Sequence, residues 1–155
     1  MVMSPEDKFG IQLQNRGRGR TFEQNASMIL ASIYIVAGII GFFVSGFANI
    51  TEMTDKSIFG LFFVNPYHNI VHIGIGAFWL LGAFALTAAG NEGLNIAIGG
   101  IYVLATVIGF MGYLNLLAIP AGPDGDNWLH LATALATIIF GTGLLRVMRG
   151  QTVAA

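Results

Sequence analysis

Residues 27–48 contain no charged side chain and form an apolar segment long enough to cross a lipid bilayer. A transmembrane helix needs about 20 such residues, whereas the apolar core of a signal peptide has only about 7–15. The segment therefore predicts an uncleaved transmembrane helix. The composition agrees, since 55% of all residues are hydrophobic and 10% are charged, against about 25% charged residues in soluble proteins. We expect an integral membrane protein surrounded by the lipid bilayer.

Three later segments, at about residues 65–89, 95–119 and 127–147, predict three further helices. Asn65 suits the N-cap of the second helix, because its side chain can accept a hydrogen bond from the first turn. Pro66 suits the first helical position, where a backbone N–H has no partner in any case. The sequence therefore predicts four membrane crossings with short connections.

The connections also carry local signals. Thr21 and Gln24 have the spacing of a capping box, which would begin the first helix before residue 27. Residues 88–93 contain two glycines and predict the turn after the second helix. Residues 58–64 are apolar but too few to span. We expect them to lie at the membrane interface or over the end of the helix bundle.

The chain contains an internal repeat. Residues 33–42 and 101–110 align without a gap, and six of the ten aligned pairs are identical. An Asn-x-x-His pattern at the start of the second helix recurs at the start of the fourth. The predicted fold class is therefore all-α, an integral membrane four-helix bundle built from a tandem repeat of a two-helix unit. The two units would be related by a pseudo-two-fold axis along the membrane normal.

The distribution of basic residues predicts the orientation of the chain in the membrane. Most of the basic residues lie near the two ends, at Lys8, Arg16, Arg18, Arg20, Arg146 and Arg149. The positive-inside rule therefore predicts that both termini are cytoplasmic. We divide the chain into a polar, basic N-terminal tail (1–25), a four-helix transmembrane domain (26–148) and a C-terminal tail (149–155).

The charged tails also limit the possible partners. Arg16, Arg18 and Arg20 are expected to bind anionic lipid headgroups. The net charge of −1 argues against binding to nucleic acid. The absence of cysteine excludes thiolate catalysis and thiolate metal sites.

The candidate site residues are the three histidines of the chain and two asparagines beside them: His68, His72, His130, Asn69 and Asn127. His68 and His72 are four residues apart and share one face of a helix. The two asparagines would orient the imidazoles from a second layer. His72 lies farther into its helix than His68, so we expect His72→Ala to cost more stability than His68→Ala.

Three interpretations of the histidines stay open. In the first, they fasten the helix ends together by hydrogen bonds. In the second, they bind a cofactor, either haem b held between two helices or a chlorophyll, with a metal ion as a lesser alternative. In the third they serve catalysis or transport, but no catalytic triad or His-Glu-x-x-His motif is present. No charged residue lies in a predicted helix centre, where coupled transporters place theirs. We assign no catalytic residue and no metal ligand.

Two motifs carry a resemblance to a known family. Residues 65–72 read Asn-Pro-Tyr-His-Asn-Ile-Val-His, and residues 126–130 read Asp-Asn-Trp-Leu-His. Over residues 27–147 the chain resembles the domain of unknown function 4383 family of small four-helix bacterial membrane proteins. The resemblance implies a bacterial inner membrane, either plasma or photosynthetic.

Together these features predict a non-enzymatic membrane protein. Its loops are short and leave little room for an autonomous active site. We expect an accessory or stabilising subunit of a larger membrane complex, bound to other membrane-protein subunits. The alternative is a haem- or chlorophyll-binding membrane protein that uses the histidines.

Overall fold

The structure is a computed structural model that describes residues 19–150, apart from the side chain of Arg146. The predicted tail segments 1–18, with Arg16 and Arg18, and 151–155 lie outside the described residues. The helices are α1 (Phe22–Ser45), α2 (Pro66–Ala85), α3 (Ala88–Phe110), α4 (Gly125–Gly141) and α5 (Leu144–Met148). A two-stranded sheet, β1 (Ser57–Ile58) and β2 (Phe62–Phe63), precedes α2, and a 3₁₀ turn (Asn115–Leu117) follows α3.

The all-α fold with four main helices is confirmed. Helices α1, α2 and α3 are each long and apolar enough to cross a membrane. Helix α4 has 17 residues and is continued by α5 after a break at Thr142 and Gly143. The predicted uninterrupted fourth helix is therefore wrong at its end. Gly143 has a φ of +66°, a left-handed conformation that interrupts a helix.

Two predicted helix starts are confirmed. Thr21 and Gln24 form a reciprocal capping box, so α1 begins at Phe22, before the predicted boundary at residue 26. Asn65 caps α2 and accepts a hydrogen bond from the backbone N–H of His68 at 2.8 Å.

The turn between α2 and α3 lies earlier than predicted. It consists of Leu86 and Thr87, and residues 88–93 form the first turns of α3. Thr87 is the N-cap of that helix, because its side chain accepts from the backbone N–H of Gly90 at 3.1 Å. Because of this cap, Gly90 lies inside the helix, although glycine has a low helix propensity.

Residues 58–64 fold over the end of the bundle, the second of the two predicted alternatives. Strands β1 and β2 pair antiparallel, and Phe59 and Gly60 between them both have positive φ, as a tight hairpin turn requires. The backbone N–H of Phe63 donates to Oδ2 of Asp126 at the start of α4, at 2.8 Å. The strand pair therefore ties α4 to the start of α2, and this end is hereafter the β-hairpin end.

Helices α1 and α2 form a first helical hairpin, and α3 and α4 form a second. Within each hairpin, glycines bring the helices close together. A Cβ on Gly38 would lie 2.7 Å from the carbonyl oxygen of Asn69. One on Gly99 would lie 2.7 Å from the side chain of Ile138. The backbones of α2 and α4 do not touch each other, so side chains fill the space between the two hairpins.

The core between the hairpins is built from buried aromatic and small residues: Ala31, Tyr34, Trp79, Ile98, Tyr102 and Ala134. The tyrosines come from aligned positions of the proposed repeat, and their ring centroids lie 5.9 Å apart. This pairing agrees with the tandem duplication, which stays a prediction from the sequence.

Candidate functional site

The three histidines of the chain converge at the β-hairpin end of the bundle. The ring centroids of His68 and His72 lie 4.5 Å apart, and those of His68 and His130 lie 6.3 Å apart. One nitrogen atom from each ring lies within 4.8 Å of the others. These residues are hereafter the histidine cluster. The sequence placed them at two helix starts, and the structure brings the two starts together.

The helix geometry explains the convergence. His68 and His72 lie one above the other on α2, and His130 lies in the first turns of α4. Because α2 and α4 belong to different helical hairpins, the cluster joins the two halves of the bundle. Its imidazoles occupy the gap in which the two backbones do not meet.

The hydrogen bonding of His68 fixes which ring nitrogen is free. Its Nδ1 lies 2.9 Å from the carbonyl oxygen of Phe63. A carbonyl only accepts, so Nδ1 carries the hydrogen, and Nε2 of the neutral ring presents a lone pair. This Nε2 is buried without a hydrogen-bond partner in the described structure, although the carbonyl of Leu117 approaches the ring.

His130 also has a buried ring nitrogen, Nδ1, with no hydrogen-bond partner among the described residues. Buried polar atoms are nearly always hydrogen-bonded, so each exception requires an explanation. Two unpartnered imidazole nitrogens beside a third imidazole have the donor chemistry of a metal site.

Asp126 connects to the cluster through the β-hairpin. Its Oδ2 accepts from the N–H of Phe63 at 2.8 Å, and the carbonyl of the same Phe63 accepts from His68. Asp126 is buried and lies four residues before His130, so the two share a helix face. Sequence reasoning missed this role, because the connection runs through the backbone of a distant segment.

Asn69 and Asn127 lie elsewhere than we expected, since neither has a described hydrogen bond to a histidine. Nδ2 of Asn69 donates to Oγ of Ser45 at 2.9 Å. Nδ2 of Asn127 donates to the carbonyls of Pro120 and Gly122 at 3.0 and 2.9 Å. Each asparagine oxygen fills the space over a glycine of its own helical hairpin, Gly41 or Gly109. They fasten helix starts rather than orient imidazoles.

Two tyrosines close the cluster toward the bundle centre. The ring centroid of Tyr34 lies 4.8 Å from that of His72, and that of Tyr102 lies 5.2 Å from that of His130. The hydroxyl of Tyr34 forms a hydrogen bond with Oγ1 of Thr133 at 2.7 Å. The cluster therefore has an aromatic floor, and its two tyrosine–histidine contacts occupy aligned positions of the proposed repeat.

Burial reverses the order that we expected for two alanine variants. His68 is 2% exposed and bonded to Phe63, whereas His72 is only half-buried. Without metal, His68→Ala should lower the free energy of unfolding by about 1–3 kcal/mol, because the Phe63 carbonyl loses its partner. His72→Ala should cost less. Thermal unfolding of both variants in one mild detergent with a chelator measures the difference, and an equal or larger loss for His72→Ala would contradict it.

A second polar cluster lies in the bundle core, away from the histidines. Nδ2 of Asn95 donates to Oγ of Ser27 at 3.0 Å and to Oδ1 of Asn91 at 3.2 Å. Its Oδ1 accepts from the indole N–H of Trp79 at 3.1 Å. Sequence reasoning missed this cluster, because residues 88–93 were interpreted as a turn and so placed outside the membrane.

At the end opposite the histidines, described basic groups lie over aromatic rings. The guanidinium of Arg20 lies 4.3 Å from the ring centroid of Phe84, and that of Arg149 lies 3.9 Å from the ring centroid of Phe22. Arg20 is exposed, so the predicted contact with lipid headgroups stays a prediction for this residue.

Comparison with known proteins gives one match. The model of the family described as a domain of unknown function, DUF4383, matches residues 24–143. No curated protein and no solved structure is significantly similar to the chain. The matched region includes the histidine cluster and the four main helices apart from the first two residues of α1. The chain therefore belongs to the DUF4383 family, as its two asparagine- and histidine-bearing motifs predicted.

Proposed function

We propose that this protein is a non-enzymatic integral membrane protein that binds one transition-metal ion in the histidine cluster. One observation carries the proposal: three imidazole nitrogens lie within 4.8 Å of one another, and His68 and His130 each hold a buried nitrogen with no partner among the described residues. Imidazole is a good ligand for zinc, copper, iron and nickel. An ion would supply the missing partners and join the two helical hairpins.

The packing of the rings favours a single ion over a haem or a chlorophyll. His68 meets His72 edge to face, and His130 lies against Tyr102. A flat macrocycle between two axial imidazoles would have to separate these rings and displace the tyrosine. An ion would bind between the rings, whose nitrogens already lie within 4.8 Å of one another. The packing therefore supports an ion in preference to a haem or a chlorophyll.

The expected orientation gives the cluster access to the side away from the cytoplasm. The basic residues Arg20 and Arg149 lie at the end opposite the cluster, and the positive-inside rule makes their end cytoplasmic. In a bacterial inner membrane, the β-hairpin end would then face outward. An ion would reach the histidines from that side.

Metal analysis of the purified protein tests the proposal. The full chain, stripped with a chelator and then given Zn²⁺ or Cu⁺ in mild detergent, should bind one ion per chain and melt at a higher temperature. His130→Ala should weaken binding by about 100-fold or more, because even residues behind a metal ligand contribute about 10–100-fold.

The matched control is Thr137→Ala. Thr137 is a buried polar residue of the same helix, and among the described residues its hydroxyl bonds to carbonyls of its own helix, those of Thr133 and Ala134. This variant should bind metal like the wild type. A wild type that binds no ion, or a His130→Ala variant that binds equally well, would refute the proposal.

A second candidate function is that of an accessory or stabilising subunit in a larger membrane complex. Large apolar side chains lie exposed on the loops of the β-hairpin end, outside the helices: Phe47 at 79%, Phe59 at 87% and Tyr113 at 68%. Exposed apolar patches on loops are typical of protein or membrane contacts. Native isolation in mild detergent should yield this chain together with other membrane subunits, and migration as a lone chain would count against this role.

A further inference from the structure

The charge of the histidine cluster restricts which ion it can hold. Its group of ligands consists of His68, His72 and His130 and includes no aspartate or glutamate. Since Nδ1 of His68 carries the hydrogen that it shares with Phe63, this ring binds as a neutral ligand. Three neutral imidazoles cancel none of the charge on an ion. The ion therefore keeps its full charge in a buried site within a membrane protein.

One buried carboxyl group lies close enough to supply a countercharge. Asp126 is 1% exposed and lies one helical turn before His130, which puts the two Cβ atoms about 5–6 Å apart. Its second connection runs through Phe63 to His68. A cation among the imidazoles would favour the ionised form of this carboxyl group. With a cation bound, the site would therefore hold one negative charge, beside the ligands rather than among them.

Three neutral ligands and one nearby carboxylate together favour a monovalent ion. The cost of moving an ion out of water grows with the square of its charge, so a divalent ion costs about four times as much as a monovalent one of similar size. One positive charge is neutralised by Asp126, whereas a divalent ion leaves an uncompensated charge in the site. Zinc also requires a fourth ligand, while monovalent copper accepts three.

We propose that the histidine cluster holds monovalent copper, with His68, His72 and His130 as its ligands and Asp126 as its countercharge. This inference rests on the proposed metal-binding function and narrows it to one ion. Copper suits imidazole ligands, and the charge of the site selects its oxidation state. The β-hairpin then has a defined role, because it holds Asp126 and His68 in place through one residue, Phe63.

Competition between ions tests the proposal in the full chain in mild detergent without oxygen. Cu⁺ and Zn²⁺ are titrated separately against chelators of known affinity. We expect one Cu⁺ per chain, bound at least about tenfold more tightly than Zn²⁺. The X-ray absorption spectrum of the bound copper should show three nitrogen ligands. Tighter binding of Zn²⁺ would overturn the choice of ion and leave the proposed function standing. Binding of neither ion would overturn both.

A pair of charge variants tests the countercharge. Asp126→Asn keeps an oxygen that can accept from Phe63 but removes the charge, and should weaken Cu⁺ binding by about tenfold or more. Asp124→Asn removes the same charge at the N-cap, two residues farther from His130 along the chain, and keeps a good N-cap for α4, so its effect should stay below about threefold. Equal affinities of the two variants would overturn the role of Asp126. If Asp126→Asn does not fold, the ion competition in the wild type still decides the ion.

Discussion

Replacing Gly38 with alanine is expected to lower the free energy of unfolding by about 1–3 kcal/mol, because the new methyl group overpacks the interface between α1 and α2. Its Cβ would lie 2.7 Å from the carbonyl oxygen of Asn69 and 3.3 Å from the backbone N of Ile73. Backbone atoms cannot rotate away as a side chain can. The two helices must therefore separate, and the contact between Asn69 and Ser45 would loosen with them.

The matched control for this variant is Gly74→Ala. Gly74 lies in α2, and a Cβ built on it meets no atom within 4 Å. Alanine stabilises a helix by up to about 1 kcal/mol relative to glycine, so this variant should be neutral or slightly more stable. Thermal unfolding of both variants in the same detergent measures the difference. A Gly38→Ala variant as stable as Gly74→Ala would show that the interface is looser than the structure indicates.

The number and type of the main helices could be predicted because each rests on a strong local signal. Residues 27–48 contain no charged side chain, and the start of α2 combines Asn65 as a cap with Pro66 in the first turn. These signals depend only on neighbouring residues and on the thickness of a bilayer. The capping box at Thr21 worked for the same reason.

The helix ends were harder to predict, because they depend on competing signals. Gly90 looks like a helix stop, but Thr87 caps the helix that contains it. The third helix was predicted to run to about residue 119, whereas α3 ends at Phe110 and Gly112, with a φ of +82°, turns the chain there. Both errors concern a glycine, which can lie within a helix, as Gly90 does, or follow the end of one, as Gly112 does.

The site was predictable in its residues but not in its geometry. The spacing of His68 and His72 indicates a shared helix face, and the repeat indicates a related position for His130. Whether the three rings meet depends on how the two helical hairpins pack, which no local pattern encodes. The asparagines were misjudged because glycines of the neighbouring helices, Gly41 and Gly109, provide the space that their amides fill.

The structure places polar groups at two levels between the helical hairpins, with aromatic residues between them. The histidines lie at the β-hairpin end, and Asn95 with its partners lies on the other side of Trp79 and Tyr34. Apolar contact alone distinguishes poorly between alternative packings of helices in lipid, whereas directional hydrogen bonds specify one of them. We therefore expect the second polar cluster, Asn95 with Ser27, Asn91 and Trp79, to set the register of the two hairpins and so to bring the histidines together.

Asn95→Ala tests this role directly and should lower the free energy of unfolding by about 2–3 kcal/mol, because it leaves the buried indole N–H of Trp79 and the hydroxyl of Ser27 short of partners. Asn95 bonds to both, across the interface between the hairpins. The matched control is Thr106→Ala in the same helix, which removes a buried hydroxyl whose described hydrogen bond is to the carbonyl of Tyr102 one turn earlier. That control should cost less than about 1 kcal/mol.

A double-mutant cycle separates the interaction from the simple loss of two side chains. If Ser27 and Asn95 act as one unit, the double alanine variant should lose at least about 0.5 kcal/mol less than the sum of the two single losses. Metal affinity gives an independent measurement, since a shift in register would move His130 away from the histidines of α2. Asn95→Ala should therefore weaken metal binding although it touches no ligand, and Thr106→Ala should not. Additive stability losses together with unchanged metal affinity would show that the second polar cluster does not set the register.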